Sequence, residues 1–431
     1  MPATVHYLHS QPDPIGQFVR IGNSGHRQLE TLHSADQMRV EHVVVEAAWI
    51  GVQKDLIHAL REARVQIILE PNIAELSALG RYEGAGQRLP WANSSRPLAP
   101  QDFQTTSDRG IIGAIARFAV EHKVHAILAP THFVETVLDR WFKLDVSLCE
   151  ALRAALDAEG GEHIAIDYPL ITTYSALRDS AQRRAFVASL RDRSFDNLWL
   201  RISGFGADAS PAGVRRYISA LFDFHGLAKP IVADCVGGLA GLAIASFGAS
   251  SAIAHGVAEK ERFDASDWNG PRRRGGGGQT GRLYVPGLDR MIRVREAQAL
   301  FEVRGARRLL SCHDPDCCPL GADDMIKNPK GHFLTQRRRQ ISDLSKVAEG
   351  RRVEHFLNYH LAVADRIARQ AAKLNTGEDA MTKALQRASL RLDRMRSVLE
   401  DLHRTIGNDA SRSRPLRRRG DAGGAAAGEL G

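Results

Sequence analysis

Short apolar runs recur along the chain, and a stretch with helical periodicity follows each of them. They read HVVVEAA (42–48), VQIILEP (65–71), VHAILAP (124–130), HIAIDYP (163–169), LWLRISG (198–204), PIVADCV (230–236), SSAIAHG (250–256) and RRLLSCH (307–313). Such short, nearly continuous apolar runs are typical of parallel strands that are covered on both faces. Strands that alternate with helices this many times predict an α/β fold, a (β/α)8 TIM-type barrel.

Changes in composition divide the chain into four predicted parts. Residues 1–40 precede the first run, and residues 41–310 make up the predicted barrel. Within it, residues 265–285 include four consecutive glycines, which favour neither helix nor strand and predict a flexible excursion. Residues 311–405 are predicted to hold a zinc-binding insertion and a C-terminal helical extension. Residues 406–431 have too few large apolar side chains to fold and are predicted to form a disordered basic tail.

An apolar seam runs along the last predicted helix, between residues 381 and 402. Its members alternate in spacings of four and three, and they are Met381, Leu385, Ala388, Leu392, Met395, Leu399 and Leu402. A seam of about three heptads suits a helix that docks on the barrel, and it equally suits a contact between two copies in a homodimer. The sequence favours neither interpretation.

The composition is that of a globular protein with an excess of basic residues. Of the 431 residues, 43% are hydrophobic, and the formal net charge is +8. This charge favours a polyanionic partner such as nucleic acid. No run approaches the roughly 18 apolar residues that a membrane span needs, and the first residues lack the order of a signal peptide. The protein is therefore predicted to be cytoplasmic, without membrane contact.

Three of the five cysteines lie close together in CHDPDCC (312–318), directly after an apolar run. Cys312, Cys317 and Cys318 are too few and too closely bunched for a disulfide framework in so long a chain. Several thiolates that a turn aims at one point bind zinc tightly. The cluster therefore predicts a metal site.

Polar residues are concentrated where the predicted strands end. In a TIM-type barrel these ends converge on one mouth, where catalytic groups lie. The candidates are Glu46, Glu70, Thr131, His132, Asp167, Asp234, Cys235 and His255. Arg201, inside a predicted strand, could reach the mouth and hold a carboxylate or a phosphate.

Several longer segments follow one another in the order found in a known enzyme family. They are IILEPNIAELSAL (67–79), QDFQTTSDRGIIGAIARFAVEHKVHAILAP (101–130), LWLRISGFGADASPAGVRRYISAL (198–221), PIVADCVGGLAGLAIASFGASSAIAHGV (230–257), and CHDPDCC followed by RRVEHFLNYHLAVADRI (351–367). This order resembles the tRNA-guanine transglycosylase superfamily, including its paralogues that insert deazaguanine bases into DNA. The resemblance implies exchange of a guanine-type base in tRNA or DNA for a 7-deazaguanine base.

The resemblance also implies roles for residues at the strand ends. The first active-site aspartate of the family falls at Glu70, which is expected to act as an acid or base, and its nucleophilic aspartate falls near His255. Base exchange needs a carboxylate that attacks the sugar carbon, which Asp234 or Glu259 could supply instead. The guanine-reading aspartate falls near Thr131.

The substrate-binding residues implied or predicted in this way also include a glycine-rich turn. Gly204, Phe205 and Gly206 match the base-binding loop of the family, and a glycine turn lets backbone N–H groups approach a flat heterocycle. Asp167 and Arg201 are predicted to join them at the mouth.

The metal ligands differ in part from the pattern of the family, which is Cys-x-Cys-x-x-Cys followed by a histidine. Cys312, Asp314 and Cys317 keep that spacing, and Cys318 adds a thiol. His355 matches the later histidine by position and is the preferred fourth ligand, with His332 as the second choice. The expected ion is a structural Zn²⁺.

Two other functions stay open at this point. One is a paralogue that binds nucleic acid without turnover, through residues such as Trp91, Arg337, Arg338 and Arg339. The other is a barrel hydrolase with a catalytic metal near His132, His255 or His313.

Overall fold

The computed structural model describes residues 12–22, 25–104, 110–266, 268–270, 281–407 and 411–416. Eight parallel strands close into a barrel, and each pairs with the next along the chain until the last pairs with the first. These strands, β1 to β8, are Gly16–Ile21, His42–Glu46, Gln66–Glu70, Ala126–Leu128, Ala165–Thr173, Asn197–Ser203, Ile231–Asp234 and Ala252–Gly256. The predicted (β/α)8 TIM-type barrel is thus confirmed.

One predicted strand is wrong, and one strand was not predicted. The run RRLLSCH (307–313) forms the short helix Ala306–Leu310 followed by a turn. The strand that completes the barrel is instead β1, Gly16–Ile21, which lies inside the segment predicted to precede the barrel. The barrel therefore begins at Gly16 and not at residue 41.

Helices cover the barrel and continue after it. The longer ones are His26–Ser34, Lys54–Glu62, Ile111–Glu121, Arg140–Ala158, Ser180–Leu190, Pro211–Phe224, Gly238–Ser246, Val294–Glu302, Pro329–Ser345, Ala362–Ala371 and Asp379–Ile406. Shorter helical segments are Ala47–Ile50, Ile73–Leu76, Ala85–Arg88, Pro100–Phe103, Tyr174–Arg178, His225–Leu227, Pro286–Leu288, Ala306–Leu310, Ala322–Lys327, Glu349–Arg351, Arg352–His355 and the π-helix Phe356–Leu361. Short strands are Phe133–Val134 and the antiparallel pairs Phe205–Gly206 with Arg262–Phe263 and Arg282–Val285 with Arg290–Arg293. Among the residues just described, no helix is both long and apolar enough to cross a bilayer.

Inward-facing side chains fill the barrel in layers, because every second residue of a strand faces the interior. The lower part is an apolar cluster formed by Phe18, Val44, Ile68, Ala126, Leu128, Ala165, Trp199, Val232, Ala252 and Ala254. Two residues further along five of these strands lie Arg20, Glu46, Glu70, Arg201 and Asp234. The interior therefore changes from apolar to charged toward the carboxyl ends of the strands.

The tail predicted to be disordered contains a segment that closes the other end of the barrel. The Ser413 hydroxyl accepts a hydrogen bond from the Ile231 backbone N–H at 2.9 Å and lies 3.1 Å from Ser251 Oγ. Leu416 packs against the apolar interior beside Gly16. The prediction is thus wrong for residues 411–416. Of the predicted excursion at 265–285, residues 267 and 271–280 lie outside the described part of the chain.

The seam of the last helix is buried within the same chain. Helix Asp379–Ile406 packs on Ala362–Ala371 and on Pro211–Phe224. Apart from Met381, which is half-buried, every member of the seam is buried there. The docking interpretation is therefore correct, and residues 381–402 do not offer this seam to a second copy.

We expect Leu392→Ala to lower the free energy of unfolding by about 3 kcal/mol, because it deletes a fully buried side chain and leaves a cavity. Leu390→Ala is the matched control, since Leu390 is 55% exposed on the same helix. Its effect should stay within about 0.5 kcal/mol. Chemical denaturation measures both, and equal effects would contradict the docking.

Candidate functional site

A cluster of buried charges fills the mouth of the barrel. Arg20 forms a two-pronged ion pair with Asp234, with both nitrogen–oxygen distances at 2.7 Å. Arg201 bridges the two carboxylates, because its Nε lies 2.7 Å from Asp234 Oδ2 and its Nη2 lies 2.6 Å from Glu70 Oε2. None of the four side chains is more than 6% exposed. The predicted mouth residues Glu70, Arg201 and Asp234 thus meet in one network.

The network keeps its charges because every member is paired. Burial on its own raises the pKa of Asp234, but the charges and hydrogen bonds of Arg20 and Arg201 outweigh burial and lower the pKa to about 2. Both carboxylate oxygens of Asp234 accept hydrogen bonds from these arginines. Glu70 receives its contacts on Oε2, from Arg201 and, at 3.4 Å, from Arg20. No residue in the described ranges donates a hydrogen bond to Glu70 Oε1.

Glu75 is a second carboxylate next to this network, and the sequence analysis missed it. It lies in the helical turn Ile73–Leu76 that follows β3. Burial, followed by the negative charge of Glu70, raises the pKa of Glu75. Its Oε2 is buried without a hydrogen-bond partner among the residues that the structure describes. The sequence feature that could have identified it is a second glutamate, five positions after Glu70, in the segment that follows β3.

An apolar cover lies over the charged network. It consists of Ala74, Ile171, Cys235, Phe263, Ala265 and Trp268, with Phe133 and Ala78 against them. The Phe263 ring lies 5.9 Å from the guanidinium carbon of Arg201. At the edge of the mouth, Lys260 forms an ion pair with Glu46. Burial on its own raises the pKa of Glu46, but Lys260 outweighs burial and lowers it.

The predicted base-binding loop lies beside this cover. The Gly204 backbone N–H donates to the Phe263 carbonyl at 2.9 Å, and Gly204 has a φ of 83° that favours glycine. Gly206 approaches the Arg262 backbone so closely that a Cβ would lie 2.5 Å from Arg262 Cα. Phe205, however, points into the core and stacks on Tyr217 with ring centroids 4.1 Å apart. Its side chain is therefore not available to a base.

Two predicted substrate-binding residues, Asp167 and Thr131, are buried inside the protein. Asp167 lies one layer below the mouth, where Asn197 Nδ2 and Trp199 Nε1 donate to it at 2.7 and 2.8 Å. Burial raises the pKa of Asp167 to about 7. It organises the interior of the barrel and does not line the mouth. Thr131 is buried beyond β4, and its hydroxyl has no hydrogen-bond partner in the described part of the chain.

His255, predicted to be catalytic, faces away from the barrel interior. Its neighbours Ala254 and Gly256 take the inward positions, so alternation points the imidazole outward. The ring packs edge-on against Phe333, and its Nε2 lies 3.0 Å from Gln17 Nε2. Burial lowers the pKa of His255 to about 4. The assignment of His255 to the mouth is thus wrong, because a fully buried ring on the outer side of β8 cannot contact a substrate there.

The histidines of the hydrolase alternative do not converge. His132 is buried and pairs with Asp145, with Nδ1 2.5 Å from Oδ1. His313 is exposed beside the cysteine cluster. None of the groups of three or more potential metal ligands among the described residues contains His132, His255 or His313. A catalytic metal at these positions has no support in the geometry.

Four potential metal ligands converge between the cysteine turn and helix Pro329–Ser345. They are Cys312, Cys317, Cys318 and His332, and their donor atoms all lie within 4.8 Å of one another. Cys317 Sγ and Cys318 Sγ are 3.6 Å apart, and they lie 3.5 and 3.4 Å from His332 Nδ1. Roughly 3.5–3.8 Å is the separation expected between ligands around a tetrahedral ion bound at 2.0–2.3 Å. The arrangement fits one ion with a Cys₃His ligand set.

Surrounding groups orient these ligands for a metal. The His332 Nε2 lies 3.0 Å from the Tyr284 carbonyl oxygen, which requires the proton on Nε2 and leaves the Nδ1 lone pair for an ion. Gln336 Nε2 donates to Cys312 Sγ at 3.4 Å. Hydrogen bonds from the thiols of Cys312 and Cys318 hold the pKa of Cys317 well below its ordinary value.

The histidine that joins the three cysteines as a potential fourth ligand is therefore His332, and the preference for His355 is wrong. His355 Nε2 instead lies 2.7 Å from Asp343 Oδ2. Asp314, at the middle position of the family spacing, pairs with Arg339 and is not among the converging ligands.

Two of the residues proposed to contact nucleic acid are buried. Trp91 donates from Nε1 to the Pro71 carbonyl at 3.0 Å. Arg337 pairs with Glu261, and its guanidinium carbon lies 4.0 Å from the centre of the Tyr284 ring. Neither reaches a phosphate. Arg338 and Arg339 are exposed, as a phosphate contact requires.

No protein-family model matches the chain, and a search among curated proteins finds no match. The resemblance described above stays a prediction from the sequence.

Proposed function

We propose that the protein is a glycosyl-transfer enzyme that exchanges a guanine-type base in nucleic acid, with its chemistry at the barrel mouth. The observation that carries this proposal is a pair of neighbouring carboxylates, Glu70 at the end of β3 and Glu75 in the helical turn that follows it. Glu70 forms ion pairs with two arginines through Oε2 and accepts no hydrogen bond on Oε1 from a described residue, whereas the pKa of Glu75 is raised by burial and by Glu70. Two carboxyl groups whose surroundings differ in this way suit the two roles of a glycosidic reaction.

The reaction can be written with these residues alone. Glu70 Oε1 attacks the sugar C1′, the bond from C1′ to the base nitrogen breaks, and protonated Glu75 gives its proton to the departing base. A new base then attacks C1′ and releases Glu70, while Glu75 takes up the proton of that base. Arg20 and Arg201 orient Glu70 by holding it against Asp234.

The surroundings of the carboxylates suit a flat heterocycle. Phe263 and Trp268 offer aromatic faces beside the network, and bases stack on such faces with little sequence preference. Since these rings cover the mouth, a substrate has to displace them. The net charge of +8 favours association with a polyanion such as tRNA or DNA.

The ion that we propose for the Cys₃His site is Zn²⁺ in a structural role. Three thiolates and an imidazole complete a tetrahedron and leave no open position for a substrate. The ion would join the cysteine turn, helix Pro329–Ser345 and, through His332, the strand Arg282–Val285.

A protein that binds nucleic acid without turnover is the second candidate. The observation that favours it is Asp234, whose two carboxylate oxygens already accept three hydrogen bonds from arginines, which lowers their nucleophilicity.

Incubation with labelled guanine or a 7-deazaguanine, together with tRNA or duplex DNA, tests the proposal. We expect incorporation of label by the wild type and a loss of at least about 100-fold in Glu70→Gln and in Glu75→Gln. Glu62→Gln, an exposed glutamate outside the mouth, is the matched control and should retain full activity.

The outcomes separate the two candidates. Salt-dependent binding of nucleic acid without incorporation would favour the binding protein. Incorporation that both substitutions leave intact would refute the assignment of the chemistry to these carboxylates.

A further inference from the structure

A second group of potential metal ligands lies apart from the cysteines. Asp343, His355 and His360 bring one carboxylate oxygen and two imidazole nitrogens within 4.8 Å of one another. Asp343 Oδ2 lies 2.7 Å from His355 Nε2 and 3.0 Å from His360 Nε2. Adjacent ligands of an ion bound at about 2.1 Å are separated by roughly 3 Å, so these distances suit three ligands on one side of an ion.

The backbone departs from α-helical geometry where it brings the two histidines together. Phe356–Leu361 is a π-helix, in which hydrogen bonds join residues five apart, and it separates His355 from His360 by that interval. In an α-helix, two residues five apart point in directions that differ by about 140°. The π-helix therefore turns both imidazoles toward Asp343. Such segments are rare in proteins and are frequently found at functional sites.

The contacts of His360 leave a place for an ion. The Nε2 of His360 is buried and, apart from Asp343 Oδ2 at 3.0 Å, has no hydrogen-bond partner among the described residues. Tyr359 stacks on His355 with ring centroids 4.7 Å apart and shields one side of the group.

We propose that Asp343, His355 and His360 bind a divalent transition-metal ion. Two imidazoles and one carboxylate suit Zn²⁺, Co²⁺ or Ni²⁺ and leave coordination positions for water. Asp343 lies three turns after His332 on the same helix, about 16 Å from the cysteine site. Two residues beyond Asp343, Ser345 Oγ accepts a hydrogen bond from the Ile15 backbone N–H at 3.0 Å, just before β1. The site is thus at the end of the barrel opposite the mouth, where an ion would tie helix Pro329–Ser345 to the π-helix.

A cobalt titration tests this site. The full-length protein is first loaded with one equivalent of Zn²⁺, which the thiolate site binds, and Co²⁺ is then added while calorimetry and absorption are recorded. We expect one further ion per chain, with the weak absorption of nitrogen and oxygen ligands and no sulfur-to-cobalt charge transfer. His360→Ala and Asp343→Asn should weaken this binding at least about tenfold. The melting temperature should rise with Co²⁺ in the wild type but not in these two variants.

His58→Ala provides the matched control, since His58 is an exposed histidine in a helix of the barrel wall. It should bind Co²⁺ like the wild type. If His360→Ala does not fold, Asp343→Asn carries the test, because the Asp343 side chain is half exposed. No uptake beyond the first equivalent at millimolar Co²⁺, or uptake that Asp343→Asn leaves unchanged, would overturn the proposal.

Discussion

Cys317→Ala is expected to lose the bound ion and to lower the apparent free energy of unfolding by several kcal/mol. Cys317 is one of the four potential ligands that converge among the described residues, and the binding free energy of thiolate zinc sites is on the order of 10 kcal/mol. Because the ion joins the cysteine turn to helix Pro329–Ser345, its loss should release the helical extension first. Elemental analysis and thermal unfolding measure the two effects.

Cys149→Ala controls for the loss of a thiol as such. Cys149 is buried in helix Arg140–Ala158, burial raises the pKa of its thiol to about 12, and it belongs to neither group of potential metal ligands among the described residues. This variant should keep one equivalent of the ion. An unchanged metal content in Cys317→Ala would show that the thiolate cluster does not hold the ion.

Arg201→Met is expected to cost about 3–5 kcal/mol of unfolding free energy. The substitution keeps much of the side-chain volume but leaves Glu70 and Asp234 buried with only Arg20 as a partner. Arg215→Met is the matched control, since its partner Asp401 is about half exposed and such pairs contribute at most about 1 kcal/mol. Denaturant unfolding of both variants at neutral pH compares the two costs. Equal small costs would mean that the charged network does not stabilise the mouth.

The same ion pairs predict that the protein loses stability at acidic pH. The pKa of Asp234 is about 2 in the folded protein, below the ordinary value of about 3.9 in the unfolded chain. The folded state therefore gains stability from Asp234 above pH 4 and loses it as the pH falls from about 4 to 2. Arg201→Met should show a smaller loss over this window, because less of the ion pairing is present to be lost.

Most barrel strands could be predicted from the sequence, but β1 could not. Strands β2 to β8 lie in runs that are mostly apolar, and in β6 such a run surrounds Arg201, whereas only Phe18, Val19 and Ile21 are apolar among the six residues of β1. Arg20 is tolerated in the interior because Glu70 and Asp234, far away in sequence, neutralise it. A pattern of local hydrophobicity contains no information about such partners.

The site was predicted in part for similar reasons. The cysteine spacing indicated a metal, but the choice between His332 and His355 depended on the position of helix Pro329–Ser345 against the cysteine turn, which spacing does not define. His255 was misplaced because β8 is apolar on both faces, so its sequence does not show which residues face the interior, and a shift by one residue reverses every side chain. Glu75 was missed because burial and the charge of Glu70, which together raise its pKa, arise only in the folded chain.

The central claim is that Glu70 attacks a sugar carbon while Glu75 protonates the departing base. Denaturing gel electrophoresis after incubation with end-labelled tRNA or duplex DNA, in the absence of an incoming base, tests this claim most directly. In the wild type we expect a denaturant-resistant complex between protein and nucleic acid, which disappears when guanine is added. This complex should never form with Glu70→Gln. A complex of equal yield in Glu70→Gln, or base exchange without any covalent complex, would contradict it.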